Sequence, residues 1–297
     1  MNILHLEHVN KSFGSIQAVH DVTFQVAGQS VFGLLGPNGA GKTTTIRMIM
    51  EIILPDSGKI TLFGNENASQ ARNRIGYLPE ERGLYKKMKV IDVILFFSEI
   101  KNVKHNAAMN SALEWLDRFK LAEYKDKKVE ELSRGMQQKL QFITTILHNP
   151  KLIILDEPFT GLDPINTNIL KDVMLELKEK GTAIIFSTHL MEQAEKLCDH
   201  IFLINKGTEV LSGNLVQIKA KYGKNRIRMN YNGKADFLHD SSLVSDFDDY
   251  GQYVEIRPVQ GIKPQQVLEA AISQVQIEKF EIADPSLNEI FISAVQN

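Results

Sequence analysis

The sequence predicts an α/β fold: a core on a parallel sheet, an antiparallel β subdomain before it, a helical insertion, and a small α+β domain behind. Three observations predict it. The apolar run Val31 to Leu35 meets a glycine-rich turn and then an apolar, glycine-free stretch from Thr44 to Leu54, a strand–loop–helix unit. Two further apolar runs, Lys151 to Leu155 and Ala183 to Phe186, read as strands buried on both faces, each followed by a helical pattern. Between the strand–loop–helix unit and these two runs, Val90 to Leu147 keeps a helical period.

The elements follow in order. Ile3, Leu6 and Val9 lie in an extended segment, Lys11 to Ser15 forms a turn, and Val22 to Val26 alternates before Gly28. Pro55-Asp56-Ser57-Gly58 marks a turn, Lys59 to Leu62 a strand, and Ile75 to Leu78 a strand stopped by Pro79. In the helical insertion, about residues 84–147, Ile91, Ile94, Leu95 and Ser98 share one face, and Leu113, Leu116, Phe119 and Leu121 form an apolar stripe. Trp115 is expected in the core, and Lys125 to Glu131 in a solvated loop. Asn149-Pro150 ends the last helix. Ile165 to Lys180 is helical and closes at Gly181, and Ile201 to Leu211 forms a hairpin around Asn205-Lys206-Gly207. This first domain is expected to span 1–218. Residues 219–297 read as a separate α+β unit, with a basic stretch (Lys219, Lys221, Lys224, Arg226, Arg228) and an acidic one (Asp240, Asp246, Asp248, Asp249). Strands are expected near Arg226 to Tyr231, Gln252 to Ile256 and Gln276 to Ile282, a helix from Pro264, and a capping box at Ser286 to Glu289.

Composition narrows the function. A net charge of −2 over 297 residues gives no reason to expect nucleic acid as a partner. No apolar run is long enough to span a bilayer, and the N-terminus lacks a signal-peptide pattern. The single cysteine, Cys198, rules out an internal disulfide framework and sits in a helical setting that suggests packing. A soluble, intracellular protein is expected.

The chemistry begins at Gly36-Pro37-Asn38-Gly39-Ala40-Gly41-Lys42-Thr43-Thr44. A glycine-rich turn between strand and helix lets successive backbone N–H groups face phosphate oxygens. Lys42 brings a charge within reach of β- and γ-phosphates, and the Thr43 hydroxyl suits Mg²⁺. Asp156 and Glu157 close the second buried strand, where ligands of open α/β sheets bind. Asp156 is placed to hold Mg²⁺, and Glu157 to polarise the attacking water. His189 follows the third strand in Ser187-Thr188-His189, either as a structural histidine or facing the γ-phosphate. Phe13 lies at a turn, where an aromatic stacks on a purine or packs at a strand end, and both readings stay open. Ser133 and Gly135 open a helix, a second anion-binding terminus in the same chain.

These motifs, in this order, resemble the ATP-binding subunit of an ABC transporter over roughly residues 1 to 218. Gly36 to Thr43 match its Walker A loop, Leu152 to Glu157 its Walker B strand, and Leu132 to Gln138 its signature motif. Gly161 to Asp163 match its D-loop, His189 its switch histidine, and Phe13 its adenine-stacking aromatic. The resemblance implies an ATP hydrolase using Mg²⁺ at Thr43, Asp156 and Glu80. It implies a head-to-tail dimer, of this chain or with a related subunit, in which each ATP meets Lys42 of one protomer and Ser133 and Gly135 of the other, with Asp163 of the D-loop also at the nucleotide. A separate multispanning permease would hold the chain on the cytoplasmic face of the membrane.

Two departures stand out. Arg134 and Met136 replace a glycine and a glutamine of the usual signature, and Glu80 replaces the glutamine that usually faces Mg²⁺, with Arg82 close in sequence to offset it. The reading with Glu80, and the segment Asp284 to Phe291, resemble subunits of sodium and antibiotic exporters. The alternatives are a soluble, non-transport ATPase of the superfamily, or a nucleotide-dependent regulator that does not hydrolyse.

Overall fold

The computed structural model describes residues 2–64, 68–81, 83–222 and 226–296. They form two compact units that divide between Gly213 and Asn214, slightly ahead of the expected boundary at 218. Arg82 and Lys224 lie outside the described residues.

The first unit opens with β1 (Asn2–Phe13) and β2 (Ile16–Ala27), followed by β3 (Val31–Leu35), α1 (Lys42–Ile49) and β4 (Ser57–Leu62). β2, β1 and β4 make a three-stranded antiparallel sheet. Both long strands run to the hairpin tip, so the first turn is only Gly14-Ser15, tighter than the expected Lys11 to Ser15. Alternation explains this sheet: Leu4, Leu6 and Val9 face a core shared with Val22 and Val26, and their neighbours face solvent. α1 is shorter than its apolar sequence suggests. Glu51 takes a left-handed backbone at φ 53°, and Ile52 and Leu54 end up exposed.

α2 (Ala68–Asn73) and β5 (Ile75–Leu78) lead to the helical insertion, α3 (Val90–Ile100), α4 (His105–Arg118) and α5 (Arg134–Ile146). Leu116, Phe119 and Leu121 are buried as expected, but Leu113 is 43% exposed because it falls on the outer face of α4. Trp115 is half-buried and carries the Arg118 guanidinium over its ring. An ion pair between Arg118 and Glu176 ties the insertion to the core, and the Lys101 ammonium donates to the Arg72 and Ile75 carbonyls.

The core continues with β6 (Leu152–Asp156), α6 (Pro164–Glu179), β7 (Ala183–Thr188), α7 (Met191–Leu197), β8 (His200–Asn205) and β9 (Thr208–Asn214). Six strands order as β5-β6-β7-β3-β8-β9, the first five parallel. Every residue of β3, β6 and β7 is buried, which is why these strands read as unbroken apolar runs. The register aligns their carboxyl ends: Leu78 beside Leu155, Asp156 beside Ser187, Leu35 beside Thr188. The chain therefore leaves β3, β5, β6 and β7 at one edge, and the residues that follow these strands gather there. Cys198, at the end of α7, is half-buried, and burial pushes its thiol pKa up, as expected for packing.

The second unit comprises α8 (Leu215–Tyr222), β10 (Arg226–Asn232), β11 (Val244–Asp249), β12 (Val254–Pro258), α9 (Pro264–Ile272), β13 (Gln276–Ala283) and α10 (Leu287–Gln296). Its antiparallel sheet runs β11-β12-β10-β13. Ile227, Met229, Val254 and Ile256 form its core with Phe237, Val267 and Ala271. The other face carries cross-strand charges: Arg228 pairs with Glu255, and Arg257 with Asp246 and Asp248. Ser286 and Glu289 form the expected capping pair, the Ser286 N–H donating to Glu289 at 2.7 Å, and Glu289 also pairs with Arg226. Arg226 and Arg228 of the basic stretch and Asp246 and Asp248 of the acidic one are thus spent on partners outside those stretches, Glu289, Glu255 and Arg257.

Candidate functional site

The glycine-rich loop is held open by contacts only glycine permits. At Gly36, with φ 155°, a Cβ would meet the Ile204 carbonyl oxygen at 2.1 Å, and at Gly41, with φ 111°, the Ala18 carbonyl oxygen at 2.5 Å. The loop lines a cleft of about 240 Å³ with Ala18, Asn38, Gly39, Lys42, Thr43, Thr44, Glu80 and Glu157. Gly36, Pro37 and Ala40 shape the turn behind it, with the Ala40 N–H donating to the Pro37 carbonyl at 3.2 Å. The Lys42 ammonium, 6% exposed, folds back to donate to the carbonyls of Gly36 (2.8 Å) and Pro37 (3.1 Å). The side chain aimed at the loop is thus held by loop carbonyls that a phosphate can outcompete.

The two acids differ in environment. Asp156 is fully buried and accepts a hydrogen bond from the Ser187 hydroxyl through Oδ1. Its other oxygen, Oδ2, is buried with no hydrogen-bond partner. Burial raises its pKa, while Ser187, Thr43 and Lys42 pull it down. A buried carboxylate oxygen left open, beside a threonine at the mouth of a phosphate loop, fits a hard divalent cation. Thr43, Asp156 and Glu80 are the residues that could hold one.

Glu157 sits at the cleft in a left-handed backbone, φ 49°. Its N–H bonds to the Ser187 hydroxyl at 3.1 Å, and its Oε1 lies 2.9 Å from His189 Nδ1 and 3.7 Å from Lys42 Nζ. A non-glycine residue held in that region is a strained position maintained by its surroundings. Here the backbone turns a carboxylate toward the loop, between the His189 imidazole and the Lys42 ammonium. His189 is therefore joined to the loop through Glu157. Ser187 is the residue that sequence reading left without a role. It touches both acids, and only the pairing of β6 with β7 reveals it.

The other expected residues lie outside this cleft. Phe13 is 51% exposed at the β1–β2 tip, with the Lys11 ammonium 5.6 Å from its ring centre. Ser133 caps α5, its hydroxyl accepting from the Met136 N–H at 3.3 Å. Asp163 caps α6, accepting from the Asn166 N–H at 2.9 Å, and these donors lower its pKa. The two helix starts adjoin: a Cβ on Gly135 would sit 3.7 Å from the Gly161 carbonyl and 3.8 Å from Leu162, ordinary contact distances. No described residue forbids a side chain at 135. The carboxamide of Gln141 reaches toward the Pro79 and Glu81 carbonyls at 3.5 and 3.4 Å, linking α5 to the segment that carries Glu80.

Known proteins are similar to this chain in sequence and in fold. A family model described as ABC transporter matches residues 19–160, and one described as ATP-binding protein DrrA1-3-like, C-terminal domain, matches residues 213–295. The chain is 41% identical to an uncharacterized ABC transporter ATP-binding protein, YhaQ, of Bacillus subtilis, over 99% of this chain and 98% of that protein. It is 36% identical to the Nod factor export ATP-binding protein I of Burkholderia orbicola, over 69% of each chain. A solved ATP-binding subunit of an ABC transporter superposes with a TM-score of 0.70 at 30% identity, covering 74% of this chain and 93% of that one. The phosphate loop, the paired acids and the histidine sit on the fold of these relatives, and the chain belongs to the ATP-binding subunits of ABC transporters, the nucleotide-hydrolysing partners of a membrane permease.

Proposed function

We propose that the chain hydrolyses MgATP in a head-to-tail dimer and that closure of this dimer drives a separate permease for export. The observation that carries the proposal is the junction at Glu157, where one carboxylate meets His189 and Lys42 above the loop. On ATP binding, Lys42 exchanges the carbonyls of Gly36 and Pro37 for β- and γ-phosphate oxygens, and the loop N–H groups from Asn38 to Thr44 take the remaining charge. Thr43, Asp156 and Glu80 hold Mg²⁺, which neutralises phosphate charge when bound. Glu157 orients a water and takes its proton as the water oxygen attacks the γ-phosphorus. The bond to the ADP oxygen breaks, and His189 holds Glu157 in place facing the γ-phosphate. Phe13 stacks on the adenine.

Ser133, Gly135 and Asp163 serve the nucleotide of the partner protomer. They lie together on the chain but outside its own cleft, and a Cβ at Gly135 would meet described residues only at ordinary contact distances. The partner is a second copy or a closely related subunit. No described helix is long and apolar enough to cross a membrane, so the spanning part belongs to another polypeptide, which holds this chain at the cytoplasmic face. The export direction is favoured by the Nod factor export relative.

The test is purification of the tagged chain from native membranes. The expected result is a complex with a multispanning protein whose ATP hydrolysis exceeds that of the chain alone. Sedimentation with ribosomes, with no membrane protein retained, would contradict the transport role.

A further inference from the structure

The cleft of the phosphate loop is poor in positive charge. Among the described residues lining it, Lys42 is the cation, while Glu80 and Glu157 face the same space and Asp156 lies buried nearby. Lys42 is already matched by Glu157 at 3.7 Å. One ammonium against three carboxylates is a weak field for a polyanionic triphosphate, even with a divalent cation bound.

At the start of α5 the imbalance has the opposite sign. Arg134 is the first residue of that helix and is exposed, and the first turn holds no acidic residue. No described side chain pairs with its guanidinium. A cation at the positive end of a helix dipole is the unfavourable placement, so this end carries surplus charge that no described side chain compensates. Gly135 beside it leaves the approach clear. Both surpluses fall where the sequence departs from the family pattern, a carboxylate for an amide at 80 and a guanidinium for a glycine at 134.

We infer that Arg134 of one protomer compensates Glu80 of its partner across the shared nucleotide, as a matched pair of departures. The pairing rests on the head-to-tail dimer proposed above. Arg134 acts there as a charge-compensating residue that favours closure on MgATP, and it offers nothing to a nucleotide held by a lone protomer.

The test is a double-mutant cycle of Arg134→Ala and Glu80→Gln in a Glu157→Gln background, which keeps ATP intact. Two quantities are read: ATP affinity of the dilute monomer, and MgATP-dependent dimerisation by sedimentation. Arg134→Ala is expected to leave monomer affinity unchanged and to weaken dimerisation about tenfold, the scale of one charge-assisted contact. Arg134→Lys should retain most of the effect. Adding Glu80→Gln should return dimerisation to within about threefold of the background protein, since the unmatched carboxylate is gone. Additive effects of the two changes would overturn the pairing, as would loss of ATP affinity in the Arg134→Ala monomer. Coupling of Glu80 to Arg82→Ala in place of Arg134→Ala would also overturn it, placing the compensation within one chain. If the background protein forms no ATP-dependent dimer, the head-to-tail reading itself fails, a result distinct from additivity within a dimer that does form.

Discussion

Ser187 is one hydroxyl on which the two acids of the site both depend. It donates to Asp156 and receives the Glu157 N–H at 3.1 Å. Ser187→Ala removes the donor from a fully buried carboxylate, at an expected cost of about 1–3 kcal/mol in unfolding free energy, and lets Glu157 leave its strained backbone. Denaturant unfolding and ATPase assays on the same preparation should both show the loss. If stability falls and hydrolysis holds, Ser187 supports the fold alone. Gly36→Ala is harsher, because its Cβ would lie 2.1 Å from a main-chain oxygen. A cost above about 2 kcal/mol is expected, read as a lower denaturation midpoint. Of these residues the sequence exposes the loop glycines, Lys42, Asp156, Glu157 and His189, because phosphate and acid chemistry demand those types at those strand ends. Ser187 stays hidden, since its role comes from which strand lies next to β6.

Among the elements, strands buried on both faces are the legible ones. β3, β6 and β7 carry apolar residues without interruption, a pattern that burial in a parallel sheet imposes. β11 is hidden for the opposite reason: Val244-Ser245-Asp246-Phe247-Asp248-Asp249 is acidic and resembles a loop. It is a strand because Arg257 on the neighbouring β12 pairs with Asp246 and Asp248, information that lies in another segment. Arg257→Ala should therefore destabilise the second unit by about 1–2 kcal/mol, with the excess amide exchange confined to β11. Exchange spread evenly through the unit would contradict this. The Arg118–Glu176 pair joins α4 to α6 in the same long-range way, and no local pattern announces it.

At the scale of the molecule, His148 and Glu176 carry large acid-sensitive shifts. His148 is held neutral, its pKa pushed down to about 4 from 6.5, chiefly by burial and by nearby Lys101. The unfolded chain therefore takes up that proton first, and stability falls as pH drops from 6.5 toward 4. Glu176 is depressed from 4.5 to about 2 by Arg118 and Lys180, so its contribution is present above 4.5 and is lost as pH falls toward 2. Because Glu176 is partly solvated, its share is about 1 kcal/mol or less. Denaturant midpoints against pH should fall in two stages. His148→Gln should flatten the upper stage and Glu176→Gln the lower, and an unchanged upper stage in His148→Gln would exclude His148 as its source.

The same scale carries the functional claim, a cleft in which Lys42 holds phosphate and Glu157 activates water. The most direct measurement is ATP hydrolysis together with bound nucleotide for the wild type, Lys42→Ala and Glu157→Gln. Lys42→Ala should neither retain nor hydrolyse ATP. Glu157→Gln should retain ATP while turnover falls at least about a hundredfold. Hydrolysis by Glu157→Gln near the wild-type rate would exclude Glu157 as the group that activates water.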